Sequence, residues 1–467
     1  MSQRGNARTW IIPVVWTLLV TSILGVAFSS VSWPFVDVYN NFYKATAYSW
    51  SETIASAFGS GVEYRPLLII GNKLVHQLVG LRIWVYKLLV LLQFAAVLAV
   101  LVWIFQPLTR RRAFAACLAL ACVTGLHGSR VLFMVAPLNA HSFGLLLVLT
   151  AVLLALSPPA RWIEWMFLPL TLFALLLLES GALIVVVIVV LWRMRAPNAS
   201  ARAVLGTVGA AAIYLAVRLG LGSQVAASTY TETGLGFADV TGVQLAQTFA
   251  HAPYLLWIYN VAATLFTVTF SEPRAGRYAF IEALLHGYVP AWMVIHVLSS
   301  AVTTAVVVYA LSTSRISDVR DRYIAAAGLT LLVGGSLLGF LYTRDRIALY
   351  AGGGYAMLLY VAVAALLENR SPARVRSVVV TAALIVVAAG WLLRTGEAYF
   401  QLRDVAWENH LEWTTRYEEL GGYIRPQTDV LMLLRKTALE RVPDDPRDDP
   451  LWTYTLFERQ YERVSGR

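Results

Sequence analysis

Few side chains in this sequence carry charge, and several of those sit where chemistry is expected. Asp37 lies just past the first apolar run, in SSVSWPFVDVYNN. A carboxylate there can act as general base on a hydroxyl or help hold a divalent ion near a phosphate. A solvated loop acid or a helix N-cap has the same signature. Asn40 and Asn41 follow within a turn and suit capping or amide contacts to a sugar. Glu63-Tyr64-Arg65-Pro66-Leu67 comes next. Pro66 fits the first turn of a helix. Arg65 beside it can grip a phosphate with its planar fork or only snorkel at an interface.

Three further groups qualify. His127, Asn139 and His141 share a short polar segment with Arg130. Histidines can assist an acid–base step, although core and interface histidines are commoner and these two lack metal-ligand spacing. Glu179 separates two apolar runs with only Ser180 and Gly181 to loosen the turn. A carboxylate in that context is costly and usually functional; capping the next helix is the alternative. Arg344-Asp345-Arg346, with Tyr350 close behind, suits phosphate or pyrophosphate, against a simple pairing with Asp345 or Glu179. Arg218 is a candidate of the same kind. There is no Walker loop, GxSxG, HExxH or CxxC, so nothing indicates an ATPase, a hydrolase elbow or a zinc site.

The elements that must position these residues are membrane helices. Only 14% of the 467 residues are charged and 58% are hydrophobic, with mean hydropathy +0.64. Soluble domains carry about 25% charged residues. The net charge of +10 follows from arginines in short loops between apolar runs, as the positive-inside rule requires. Nucleic-acid binding is set aside, since no basic cluster comes with exposed stacking aromatics. Cys117 and Cys122 are five residues apart in one apolar run and on different helical faces. No disulfide framework follows.

Apolar runs of spanning length fall at 9–29, 82–105, 113–128, 142–156, 165–178, 181–195, 203–222, 290–311, 323–342, 352–367 and 377–393. The first is read as a retained helix, because it lacks a convincing signal-peptide cleavage site. Arginine placement predicts a cytoplasmic N-terminus in the plasma membrane. Residues 30–80 then form a first outer loop, 223–289 a second, and 394–467 an extracytoplasmic helical tail. A further apolar run at 252–270 breaks the alternation if it crosses. It is expected to dip into the membrane or lie on it, packed against protein. Within 66–79, Leu67, Ile70, Leu74 and Leu78 make an apolar stripe, with Asn72, Lys73 and His76 opposite; this predicts an interfacial helix. The predicted fold is an all-α polytopic membrane protein: about eleven transmembrane helices plus one membrane-associated segment, a membrane domain over 1–393 and a small tail.

At these residues the chain resembles the GT-C superfamily of integral-membrane glycosyltransferases, closest to the bacterial polyprenyl-phosphate-sugar-dependent, mannosyltransferase-like branch. The resemblance rests on Asp37 after helix one, Tyr64 to Leu67 opening an amphipathic helix, Gly80-Leu81 and Tyr86-Lys87-Leu88, Glu179 between helices five and six, and Arg344, Arg346 and Tyr350 before a Gly-rich helix start. In topology it covers about residues 10–395.

The resemblance implies transfer of a sugar from a polyprenyl-phosphate donor to a glycan, lipid or protein acceptor on the extracytoplasmic face, among membrane lipids. Asp37 would activate the acceptor. Arg344, Arg346, Arg65 and Tyr350 would hold the lipid phosphate. Asn40, Glu63, Tyr64, His127, Asn139, His141 and Glu179 are candidates for sugar or acceptor contacts. A divalent cation, Mg2+ or Mn2+, is the one candidate cofactor, and no residue is assigned as metal ligand. Many relatives carry paired acids in the first loop; here Asp37 is single, and 128–141 holds no carboxylate. A transporter or flippase of lipid-linked saccharide and a non-catalytic scaffold are the alternatives. A transporter needs polar groups at mid-bilayer and often inverted repeats, and the sequence suggests neither.

Overall fold

The computed structural model describes residues 8–29, 45, 48–59, 64–80, 82–126, 139–220, 253–273, 278–313, 316–340, 347–368 and 374–414. Their regular structure is helical, with no strand among the described residues. The helices are α1 (Arg8–Ser29), α2 (Trp50–Gly59), α3 (Pro66–Val79), α4 (Ile83–Phe105), α5 (Arg110–Gly125), α6 (Ala140–Leu156), α7 (Arg161–Leu177), α8 (Ala182–Arg193), α9 (Ala201–Gly220), α10 (Pro253–Phe270), α11 (Ala279–Leu285), α12 (Ala291–Thr313), α13 (Val319–Leu337), α14 (Ala348–Glu368) and α15 (Arg374–Thr414). Among them α1, α4, α9, α12, α14 and α15 are long and apolar enough to cross a bilayer; α6 and α10 are shorter apolar helices. The chain is a multi-pass helical membrane protein.

The outer surface supports this. Large apolar side chains such as Leu18, Leu205 and Val308 face outward, which is stable only against lipid. On α4, Trp84 and Trp103 are both exposed. At 1.5 Å rise per residue they stand about 28 Å apart, close to the hydrocarbon thickness of a bilayer, as a pair of interfacial anchors would.

The bundle has two chemically different ends. At one, the α5 arginines meet the start of α13 and the end of α14. Thr109 caps α5 by accepting from the Arg112 amide. The Arg112 guanidinium then contacts Asp318 at 3.1 Å, Asp321 at 2.9 Å and Glu368 at 2.8 Å. Arg320 donates to the carbonyls of Ile104 and Leu156, at the ends of α4 and α6. Tyr323 donates to the carbonyl of Arg195, just past α8. Helix ends leave carbonyls without partners, and arginines supply donors for them. Helix α1 starts at this arginine-rich end too, because Gly25 near its far end packs on Leu91, near the opposite end of α4.

Helix α14 is the centre of the bundle and is buried along nearly its whole length. It packs on α13 through glycines. A Cβ on Gly335 would lie 2.5 Å from the Ala351 amide, and one on Gly354 would collide with the Gly328 carbonyl. Small residues let two backbones approach closely where lipid supplies no hydrophobic drive between helices.

Helix α10 covers most of the apolar run at 252–270. Asn260 donates to the Phe340 carbonyl, beyond α13 at the end opposite the arginines. Further along, Thr304 donates to the Thr269 carbonyl, and the Ser271 and Ser300 hydroxyls share a hydrogen bond at 2.6 Å. Both partners lie inside the bundle on α12. The chain then turns back, and the Tyr278 ring packs 6.5 Å from that of Tyr259. Helix α10 therefore enters and leaves by one end, with its buried carbonyl satisfied by Thr304.

Helix α15 continues past residue 393, where the tail is predicted to begin. Its 41 residues span about 60 Å at 1.5 Å per residue, so it outruns a bilayer. Ala398 and Leu402 are still buried against the bundle. The rest of the tail lies outside the described residues.

Candidate functional site

At the end opposite the arginine cluster, α7 turns directly into α8. Leu178 is extended, and Glu179–Gly181 forms a single 3-10 turn. Gly181 makes the turn possible: a Cβ there would sit 2.5 Å from the backbone of Ala174. The turn presents Glu179 and Ser180 in opposite directions. Ser180 donates to the Tyr350 hydroxyl at 2.5 Å, inside the bundle. Gly144 on α6 leaves room for that hydroxyl, which a Cβ would strike.

Glu179 faces outward between two arginines. Arg65 Nε lies 3.3 Å from Oε2, and Arg218 Nη1 lies 3.7 Å from Oε1. Each carboxylate oxygen thus meets a different guanidinium, brought from α3 and from the last turn of α9. The three side chains are 25%, 20% and 35% exposed for Arg65, Arg218 and Glu179, so the cluster is open to an incoming ligand. Tyr350 lies within electrostatic reach of both Arg65 and Glu179.

Aromatic rings hold the arginines in place. Arg218 donates to the Tyr214 hydroxyl at 3.0 Å, and the Tyr214 ring packs 5.8 Å from that of Tyr64. Tyr64 is fully buried, and its hydroxyl has no hydrogen-bond partner among the described residues. Burial pushes its pKa up, offset in part by the Arg218 charge. An orphaned buried hydroxyl is uncommon and calls for a reason.

Helix α3 turns its polar face toward the protein. Asn72 and Lys73 are buried, while Leu74 and Leu78 are exposed. Lys73 donates to the carbonyls of Ala45 and Tyr48 at 2.8 and 2.5 Å, tying the end of the first loop to α3. At a lipid interface the protein side is the polar one, so the apolar stripe turns outward. Helix α2 closes over α3, with Trp50 donating to Gln77 at 3.1 Å. Burial and the Lys73 charge hold the His76 pKa below its usual 6.5.

The other predicted residues divide. Arg65, Tyr64, Glu179 and Tyr350 come together. Asn139 is the N-cap of α6, accepting from the Ser142 amide at 3.1 Å, and His141 sits in the first turn after it. Asp37, Asn40, Glu63, His127, Arg344 and Arg346 lie outside the described residues. Tyr214 escapes notice in the sequence; its four-residue spacing to Arg218 on one helix face is the signal that marks it. One carboxylate flanked by two guanidiniums does not suit a divalent cation, and among the described residues no group of three acids, histidines or cysteines could hold one.

A second polar cluster lies deeper, where α12, α15 and α5 meet. Arg394 is buried and donates to the Gly125 carbonyl at 3.0 Å and to Ser299 and Ser300 at 3.2 and 2.7 Å. Its guanidinium stacks 4.1 Å from the Trp391 ring centre. His296 and Glu397 are hydrogen-bonded beside it. The end of α10 reaches the same place through Ser271 and Ser300. Polar side chains are therefore buried between helices here.

No family model matches the chain, and no curated protein matches it.

Proposed function

We propose that this protein transfers a sugar from a polyprenyl-phosphate donor to an acceptor at the extracytoplasmic face of the membrane, as a GT-C-like enzyme. The observation that carries this is the convergence of Arg65 and Arg218 on Glu179. Two guanidinium groups at a membrane face, away from the arginine-rich end, suit a lipid-borne phosphate. In this proposal about eleven crossings alternate between the two ends, with the arginine-rich end cytoplasmic by the positive-inside rule. The site formed by Arg65, Arg218 and Glu179 then lies outside with the first loop and the tail. Arg65 and Arg218 hold the donor phosphate together with Arg344 and Arg346, and Tyr350, expected from the sequence to join them, is instead buried and braces the Glu179 turn through Ser180. Asp37 takes the proton of the acceptor hydroxyl as that oxygen bonds to the anomeric carbon, and the polyprenyl phosphate leaves.

The test is transfer of labelled sugar from a synthetic polyprenyl-phosphate donor by protein in nanodiscs, against a panel of acceptors. Asp37→Asn should abolish transfer with the protein still folded; undiminished transfer in that variant would sink the assignment.

Movement of a lipid-linked saccharide is the second proposal, favoured by α10. A helix that ends inside a bundle beside buried Arg394 and His296 and half-buried Glu397 is a device transporters use. Translocation of the lipid in liposomes with no bond made would reverse the order.

A further inference from the structure

We infer that Glu179 is an internal stand-in for phosphate: its carboxylate occupies the anion position between Arg65 and Arg218 and is displaced when a phosphate ester binds. This inference rests on the phosphate-binding role proposed above and deepens it. The carboxylate is a loose fit. Its contacts of 3.3 and 3.7 Å exceed the 2.7–2.9 Å of a well-made guanidinium–carboxylate bond. One oxygen faces each arginine; a phosphate diester would offer two on a larger, tetrahedral centre, and a monoester a third.

The backbone at Glu179 cannot retreat. Gly181 packs against Ala174, and Ser180 is tied to Tyr350. The Glu179 side chain, about a third exposed, has solvent to swing into. The ring of Tyr64, whose buried hydroxyl has no partner among the described residues, packs 5.8 Å from that of Tyr214, which in turn holds Arg218. Until a ligand arrives, the carboxylate screens two like charges from each other. Once a phosphate is present, the same carboxylate repels it and sets how readily it is released.

The shared ligand chemistry is a phosphate monoester or diester, from a lipid headgroup or from solution. Binding of polyprenyl phosphate in nanodiscs and of inorganic phosphate should be measured for wild type and Glu179→Gln. Glu179→Gln should bind at least about tenfold more tightly, since a like charge at contact distance is removed. A gain confined to the lipid assigns the headgroup as source, and an equal gain for inorganic phosphate assigns free phosphate. A merely structural Glu179 would show unchanged or weaker binding on neutralisation, and that result overturns the inference. The phosphate-binding role itself is read from Arg65→Ala and Arg218→Ala, which should lose binding. If they do and Glu179→Gln gains nothing, the stand-in falls and the phosphate site stands. If neither wild type nor Glu179→Gln binds either probe, both fall. Should Glu179→Gln not fold, Glu179→Ser is read in the same way.

Discussion

Arg65 and Glu179 stand 114 positions apart in the chain, yet Nε and Oε2 meet at 3.3 Å. The contact joins the start of α3 to the tight α7–α8 turn, and Arg218 completes it from α9. Such partly exposed pairs contribute little to stability, so their removal should be felt in binding. Arg65→Ala or Arg218→Ala should weaken polyprenyl-phosphate binding about ten- to hundredfold, the scale of one hydrogen bond to a charged group. Melting temperature should barely move. A large loss of stability with unchanged binding would make the cluster structural.

Tyr64→Phe separates stability from ligand binding. The hydroxyl is buried without a described partner, and a buried unmade hydrogen bond costs about 1–3 kcal/mol. Its removal should raise stability by about 1 kcal/mol and weaken phosphate binding. A fall in stability would mean that the hydroxyl is satisfied in the folded protein.

At the other end, Arg112 compensates three carboxylates, of which Asp321 is buried. Arg112→Leu strands that charge and should cost about 3–5 kcal/mol. Adding Asp321→Leu should recover much of the loss, because the burial penalty goes with the charge. Unfolding of the single and double variants in mixed micelles measures both. Equal stability of the two would argue that Asp321 is hydrated.

The α13–α14 contact makes a sharp prediction about glycines. Gly354→Ala drives a methyl into the Gly328 carbonyl and the Leu332 amide of the partner helix, a mismatch with backbone that should cost about 1–3 kcal/mol. On α9, a Cβ at Gly209 meets nothing within 4 Å. Gly209→Ala should be neutral or stabilise by up to about 1 kcal/mol through helix propensity. The comparison needs only thermal melts of the two variants.

His76 gives α3 a pH dependence. Burial and Lys73 depress its folded pKa below 6.5, so the unfolded chain binds the proton more readily. Stability therefore rises with pH across this window. The contribution is fully present above 6.5 and is lost as pH falls through the folded value. Melting temperature followed from pH 8 to 5 should fall more steeply in wild type than in His76→Gln. Parallel curves would remove His76 as the cause.

The sequence by itself determined the class of molecule and its helices. Apolar runs must bury their backbone polar groups in hydrogen-bonded helices once in lipid, and arginine placement already divided the helix ends into two sets. The start of α3 at Pro66 and the α7–α8 turn at Glu179 were legible for the same local reasons, a proline at a first turn and a glycine at a close approach. Tertiary structure alone decided what Glu179 and Arg65 do, since contacts between α3, α7 and α9 depend on how helices pack around α14. It decided which face of α3 turns inward, because a stripe of leucines reads alike whether its neighbour is protein or lipid. It also decided the course of α10. Hydropathy measures the cost of burying a segment, not the end by which it leaves, and only the packing of Tyr278 against Tyr259 brings the chain back beside the start of α10.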